Sequence, residues 1–193
     1  DDLQDGGADQ FVKVVEAVRA VSSTSKVEIL VPDFGGRIES IEKVLEVKPA
    51  VFSHNIETVK RLYPIVRAGA SYSGSLDLLK MAKKMDPRQL TKSSIMVGLG
   101  ESEEELMDTM DALRIAGCDI LTIGQYLKPG KDNVDIKRFV TPEEFEHYKM
   151  LGEANGFKFV SSGPYIRSSY NAFHIYKELK EIAHEGCLTA AIG

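Results

Sequence analysis

The sequence predicts an α/β fold with a parallel sheet, because short β-branched strands alternate with amphipathic helices along the chain. Strand, loop and helix follow one another through four units, a pattern that pairs strands in parallel through right-handed crossovers. With 193 residues, 43% of them hydrophobic, the chain can bury one sizeable core. We therefore predict a single domain over residues 1–193.

Hydrophobic spacing defines the elements of the first half. Residues three and four apart from Phe11 to Val18 predict an opening helix that ends near 22–25. The runs 26–31 and 50–53 predict two strands, separated by a helix that follows the turn at 32–36. A short helix is predicted over 59–65, and Ser75 is predicted to cap the next helix, which runs through Met81.

Two capping boxes define the helices of the second half. Ser102 with Glu105 begins a helix that ends at Gly117, and Thr141 with Glu144 begins one that ends at 155–156. The remaining β-branched and aromatic runs predict strands at 92–97, 119–124 and 157–160.

Composition excludes several classes of function. The formal net charge is −5 and no Lys/Arg-rich block occurs, which argues against a nucleic-acid partner. No apolar run approaches the roughly 18–20 residues that a membrane span needs, and no signal peptide is evident, so we expect a soluble, intracellular protein. The two cysteines, Cys118 and Cys187, and the four histidines lack metal-site spacing.

In parallel α/β folds, ligands bind at the carboxyl ends of the strands, so residues just after each strand are candidate site residues. They are Asp33, Arg37, His54, Asn55, Glu57, Gly98, Gly100, Glu101, Gln125, Tyr126, Arg167, Ser168 and Ser169.

Each group also has a purely structural interpretation. Residues 98–101 can admit a ligand and favour an anion at the next helix, or form an ordinary turn. Residues 54–57 can bind ribose hydroxyls or an amino-acid group, or cap a helix through Asn55. Residues 124–127 can contact a purine or simply end a strand. Ser168 or Ser169 can instead cap the final helix.

Several stretches together resemble lipoyl synthase, a family of radical S-adenosylmethionine enzymes. The matching stretches are 1–3, 5–8, 53–55, 66–70, 91–93, 96–101, 121–127 and 163–170. The resemblance implies an incomplete parallel (β/α) barrel that lacks its first strands. Of the six β/α units of the family, this chain would begin at the second helix and retain the last four strands.

The resemblance also implies an activity and its cofactors. Lipoyl synthases insert two sulfur atoms into a protein-bound octanoyl-lysine group, using S-adenosyl-L-methionine and two 4Fe-4S clusters, one of which supplies the sulfur. The cysteine triplets that bind these clusters are absent from this sequence. We therefore expect the chain alone to be inactive.

Site residues follow from the same resemblance. A serine of the Arg-Ser-Ser-Tyr motif ligates the auxiliary cluster, which points to Ser169, with Ser168 as the alternative, and to Arg167 as a stabiliser of the negative charge. Residues 163–193 would form this motif and its helix. S-adenosylmethionine would lie against His54, Asn55 and Glu57, residues 98–101, and Gln125 with Tyr126.

The implied partners are an octanoylated lipoyl carrier domain or the glycine-cleavage H protein, and an electron donor such as ferredoxin or flavodoxin. A local basic patch would receive the carrier, formed by Lys128, Lys131, Lys137 and Arg138. The location would be cytoplasmic, or mitochondrial or plastid in a eukaryote. Two alternatives stay open: a non-catalytic module that binds S-adenosylmethionine or the carrier, and a metal-free barrel lyase or isomerase with Glu101 or Glu57 as base.

Overall fold

A five-stranded parallel sheet forms the centre of the computed structural model, which describes residues 3–179. The strands are β1 (Glu28–Leu30), β2 (Val51–Ser53), β3 (Thr91–Val97), β4 (Ile120–Gln125) and β5 (Phe159–Gly163). Their order in the sheet is their order in the chain, with β1 and β5 at the two edges. The predicted α/β class and incomplete barrel are confirmed. All five strands predicted from the hydrophobic runs are present. The count of four retained strands, which the resemblance implied, is wrong.

Helices precede β1 and connect the successive strands. They are α1 (Ala8–Val21), α2 (Ile38–Glu46), α3 (Tyr63–Val66), α4 (Tyr72–Met85), α5 (Glu103–Ile115) and α6 (Pro142–Ala154), with 3-10 turns at Phe34–Gly36 and Lys60–Leu62. A last helical segment covers 172–179. Within residues 3–179, no helix is long and apolar enough to span a bilayer.

Two of the predicted helix N-caps are formed, and the one predicted for α4 is not. Both capping boxes, at Ser102 and Thr141, are confirmed. The prediction for α4 is wrong, because its cap is Ser71, whose hydroxyl accepts a hydrogen bond from the Gly74 N–H at 3.0 Å. Ser75 lies inside α4 and is buried.

The cap predicted at Ser168 or Ser169 is also wrong. The helical segment begins at residue 172, and its first backbone bond runs from the Ile175 N–H to the Asn171 carbonyl at 3.2 Å. Both serines lie in the preceding turn. The rest of the predicted 163–193 unit, including Cys187, lies outside the described residues.

The two faces of the sheet differ in chemistry because side chains alternate along each strand. One face carries apolar residues such as Ile95, Ile123 and Val160, which pack in a core cluster with α5 and α6. The other carries polar residues. There Lys92, only 1% exposed, forms an ion pair with Glu28 at 2.9 Å. This polar face is the inner face of the partial barrel, and the helices cover the outer face.

Candidate functional site

A cavity of 450 Å³ opens at the carboxyl ends of β3 and β4 and is called here the strand-end cavity. Six of the predicted site residues line it: Asn55, Glu57, Gln125, Tyr126, Arg167 and Ser168. Gln125 is the last residue of β4, and the other five lie in the links that follow β2, β4 and β5. Parallel pairing therefore brings together side chains that are more than 100 positions apart in the sequence.

Asn55 and Glu57 form one wall of the strand-end cavity. The backbone of Glu57 is left-handed (φ 67°), and it is held against β3 by two hydrogen bonds. Its N–H donates to the Ser94 carbonyl at 2.9 Å, and the Met96 N–H donates to its carbonyl at 2.8 Å. A left-handed non-glycine residue costs about 1 kcal/mol or more, so these bonds fix an unfavourable conformation that directs the chain along the cavity.

The polar atoms of this wall are suited to a ligand that donates hydrogen bonds. The Asn55 side-chain N–H donates to the Glu57 carboxylate at 3.1 Å, which orients both groups. The amide oxygen of Asn55 is buried and has no hydrogen-bond partner within residues 3–179. Buried polar atoms are normally paired. An ammonium group or a ribose hydroxyl would satisfy this oxygen, and the Glu57 carboxylate could accept a second hydrogen bond.

Gln125 and Tyr126 form the opposite wall, and the protein already uses their polar atoms. The Gln125 amide donates to the Arg138 carbonyl at 3.2 Å and accepts from the Val140 N–H at 2.9 Å. The Tyr126 hydroxyl donates to the Val134 carbonyl at 2.9 Å. These bonds fasten the long loop that follows β4 to the cavity wall, and they leave backbone and ring surface for a ligand.

Residues 98–101 lie outside the lining of the strand-end cavity. The Glu101 carboxylate accepts hydrogen bonds from the N–H groups of Gly98, at 2.7 Å, and of Leu99, at 2.9 Å. The turn therefore satisfies its own donors. Gly98 has a positive φ of 93°, and a Cβ there would overlap the Gln125 side chain. Gly98 thus allows Gln125, a residue of the cavity wall, to approach the turn closely. Gly100 and Glu101 belong to this turn and do not line the cavity.

His54 also lies outside the cavity. It is buried, with Nδ1 2.9 Å from the Val31 carbonyl oxygen and Nε2 2.9 Å from the Ser75 hydroxyl. Burial lowers the pKa of His54 below its usual value. Both ring nitrogens are therefore occupied within the protein.

The Arg-Ser-Ser-Tyr segment closes the cavity from the side of β5. The Ile166 N–H donates to the Gly163 carbonyl at 3.1 Å, and the Tyr170 N–H donates to the Arg167 carbonyl at 2.9 Å. Arg167 is exposed, Ser168 is half-buried, and both line the cavity, whereas Ser169 is exposed just beyond the lining. The segment can approach because β4 carries Gly124, where a Cβ would overlap the Ile166 carbonyl oxygen.

Sequence reasoning missed several residues of the cavity. Ser94 and Met96 line it from the inner face of β3, and Leu127 to Pro129 line it from the loop after β4. The strand-end rule selects residues after a strand, so it passes over those within it. Alternation along β3 would have placed Ser94 and Met96 together on the face opposite Val97.

A larger cavity, of 650 Å³, lies at the opposite, amino-terminal end of the sheet. Lys26, Glu28, Ala50 and Val51 line it together with residues of the 172–179 segment, and it is called here the lower cavity. By volume alone, the lower cavity would be preferred to the strand-end cavity as the candidate ligand site. We place the candidate site in the strand-end cavity because predicted polar residues converge there and ligands of parallel folds bind at that edge.

Residues 3–179 do not supply the cysteine ligands of an iron–sulfur cluster. Within residues 3–179, no group of three His, Cys, Asp or Glu side chains is placed to hold a metal ion. Cys118 is fully buried, and burial raises the pKa of its thiol to about 12. Cluster ligation requires the thiolate, so Cys118 does not fit this role.

Comparison with known proteins places this geometry in a family. The sequence profile of the Radical SAM superfamily matches residues 6–113. A lipoyl synthase of Rubrobacter xylanophilus is 50% identical over 98% of this chain and 58% of its own length. One of Alkaliphilus metalliredigens is 48% identical over 94% of the chain and 63% of its own length. The chain thus spans about 60% of the length of these relatives.

The fold agrees with the profile. Methylornithine synthase (PylB) superposes with a TM-score of 0.56 at 15% identity, over 91% of this chain and 62% of the other. This likeness concerns the fold alone. With a matching profile over more than half of its length and a parallel partial barrel, the chain belongs to the Radical SAM superfamily.

Proposed function

We propose that this chain is part of a lipoyl synthase, and that its strand-end cavity binds S-adenosylmethionine. Identities of about 50% to lipoyl synthases over almost the whole chain support the activity. The observation that carries the cavity assignment is the Asn55 amide oxygen, which lies beside the Glu57 carboxylate and has no partner in the part of the chain that the structure describes. Both can accept hydrogen bonds from the ammonium or ribose of this ligand.

In this proposal the chain binds S-adenosylmethionine and orients it. Asn55 and Glu57 hold the polar groups of S-adenosylmethionine, while Gln125 and Tyr126 form the facing wall. When bound, S-adenosylmethionine and an iron–sulfur cluster supply the radical chemistry that makes sulfur insertion at unactivated carbons feasible. Cysteine ligands for the two 4Fe-4S clusters would come from the part of the enzyme that lies outside the matched 60%. We therefore expect the chain alone not to make lipoyl groups.

We further propose that an octanoylated carrier domain approaches over the loop after β4. Leu127 and Lys128 of this loop line the mouth of the cavity. Of the four basic residues first considered, Lys128 pairs with Asp135 at 2.6 Å and Arg138 pairs with Glu144 at 2.6 Å. Lys131 and Lys137 would therefore carry most of the attraction to an acidic carrier.

A chimera tests the proposed function. This chain replaces the matching segment of the Rubrobacter enzyme, and the reconstituted protein is given an octanoylated carrier peptide, S-adenosylmethionine and a reductant. We expect a lipoylated peptide by mass spectrometry. A chimera that loads its clusters but leaves the peptide unchanged would contradict the proposal and favour a binding module without catalytic activity.

Ser169 is proposed as a ligand of the auxiliary cluster, since it lies exposed beside Arg167 in the turn that closes the cavity. In the chimera, Ser169→Ala should abolish lipoylation, preserve release of 5′-deoxyadenosine and alter the absorbance and Mössbauer spectra of the auxiliary cluster. Ser168→Ala is the matched control and should leave these spectra unchanged. The reverse pattern would identify Ser168 as the ligand. Unchanged spectra in both variants would show that neither serine ligates the auxiliary cluster.

A further inference from the structure

A row of four hydrogen-bonded side chains lies behind the strand-end cavity, between β2 and the helices that cover it. The Arg67 guanidinium is 3.3 Å from the Tyr63 hydroxyl, which is 3.1 Å from the Ser75 hydroxyl. The Ser75 hydroxyl is 2.9 Å from Nε2 of His54. Tyr63, Ser75 and His54 are buried. None of the four lines the cavity.

The direction of every hydrogen bond in this row is determined. The Val31 carbonyl can only accept, so Nδ1 of His54 carries the hydrogen and Nε2 of the neutral ring accepts from Ser75. The Ser75 oxygen then accepts from Tyr63, whose oxygen accepts from Arg67. Burial, which lowers the pKa of His54, favours the neutral ring that this order requires. Each member therefore specifies the orientation of the next.

Arg67 joins this row to the cavity wall. The guanidinium NH1 that contacts Tyr63 also donates to the backbone carbonyl of Asn55 at 2.9 Å. Asn55 in turn orients the Glu57 carboxylate through its side chain, and Glu57 holds a left-handed backbone. A strained residue persists only when its surroundings over-determine it. The two bonds to β3 constrain Glu57 on one side. On the other side, Arg67 constrains it by holding the Asn55 carbonyl.

We propose that Arg67, Tyr63, Ser75 and His54 are positioning residues that hold the Asn55–Glu57 wall in its ligand-binding conformation. The identity of the ligand, S-adenosylmethionine, rests on the proposed function. The positioning itself is a property of the 193-residue chain, so it can be measured without ligand or clusters.

Tyr63→Phe tests this inference, because it removes one oxygen and keeps the ring, which packs edge-on against Tyr72 with centroids 5.2 Å apart. Amide hydrogen exchange is measured on the 193-residue chain. The N–H groups of Glu57 and Met96 report on the wall, since both are bonded within it. We expect both to exchange about tenfold faster or more, as the loss of about 1.4 kcal/mol of local stability would produce. Amides between β4 and β5 should not change.

Tyr148→Phe is the matched control. Like Tyr63, Tyr148 is buried, and its hydroxyl accepts a hydrogen bond from an arginine, Arg138, at 2.9 Å. Tyr148 lies on α6, however, and does not line the cavity. Its loss should leave Glu57 and Met96 protected. If Tyr63→Phe does not fold, Ser75→Ala carries the same test, because it removes the hydroxyl that His54 and Tyr63 share.

Unchanged exchange at Glu57 and Met96, or a uniform increase across the sheet, would overturn the positioning role. The chimera separates this result from the proposed function. Faster exchange in the Tyr63→Phe chain together with unaltered affinity of the corresponding chimera for S-adenosylmethionine would support the positioning and reject the ligand assignment.

Discussion

Glu57 combines an unfavourable backbone with a charged group at the edge of a cavity. Such strain is common where a site must present a side chain in one orientation. The two hydrogen bonds to β3 and the contact with Asn55 show how the strain is stabilised. Glu57 is therefore the residue at which a small chemical change should most affect ligand binding while the fold is retained.

Glu57→Gln should weaken binding of S-adenosylmethionine to the chimera by about 10- to 150-fold. A hydrogen bond to a charged group is worth about 1.5–3 kcal/mol, which corresponds to this range. Equilibrium titration measures the affinity. Glu143→Gln, an exposed carboxylate on α6, is the control and should bind normally. Equal affinities for wild type and Glu57→Gln would remove Glu57 from the ligand contacts.

At the residue scale, the sequence predicts which links meet but not what each side chain contacts. Asn55 and Glu57 were found because they follow a strand, and they line the cavity. His54, their neighbour, satisfies the same rule yet points to Ser75 of α4. The ion pair of Lys92 with Glu28 joins residues 64 positions apart, and no local pattern indicates it.

Among the elements, α5 is stabilised at its start by a charged capping box. The Arg61 guanidinium donates to both oxygens of Glu105, at 2.6 and 2.9 Å, and the Ser102 N–H donates to one of them at 2.9 Å. These contacts lower the pKa of Glu105 from 4.5 to about 2. Since Arg61 also donates to the Gly100 carbonyl at 2.8 Å, the cap joins α5 to the turn after β3.

The depressed pKa of Glu105 predicts a specific acid sensitivity. The ionised carboxylate contributes stability that is complete above its unfolded-state pKa and is lost as pH falls through the folded-state pKa. Urea unfolding should show wild type more stable than Glu105→Gln at about pH 5, with the difference shrinking toward about pH 3. A difference that stays constant with pH would mean that the charge of Glu105 does not stabilise the fold.

Element boundaries were predictable where local chemistry alone sets them. Both capping boxes consist of two side chains three residues apart, and both are formed. The start of α4 was not predictable in this way, because Ser71 and Ser75 are both suitable caps. A tertiary contact distinguishes them, since His54 from the link after β2 binds Ser75 within the helix.

At the scale of the whole molecule, two cavities lie at opposite ends of one sheet. The order of strands and helices predicted the sheet. The general rule for parallel folds selects the carboxyl end of that sheet as the candidate ligand site. It could not predict the lower cavity, which forms where the 172–179 segment lies against the beginnings of β1 and β2. That contact depends on how the chain returns after β5.

Under the proposed function, S-adenosylmethionine binds in the strand-end cavity. Amide hydrogen exchange of the chimera, with and without S-adenosylmethionine, tests it most directly. We predict added protection at the N–H groups of Glu57, Met96 and Gln125, and none at Glu28 and Val51, which line the lower cavity. Protection at Glu28 and Val51, with Glu57 and Gln125 unchanged, would contradict the claim.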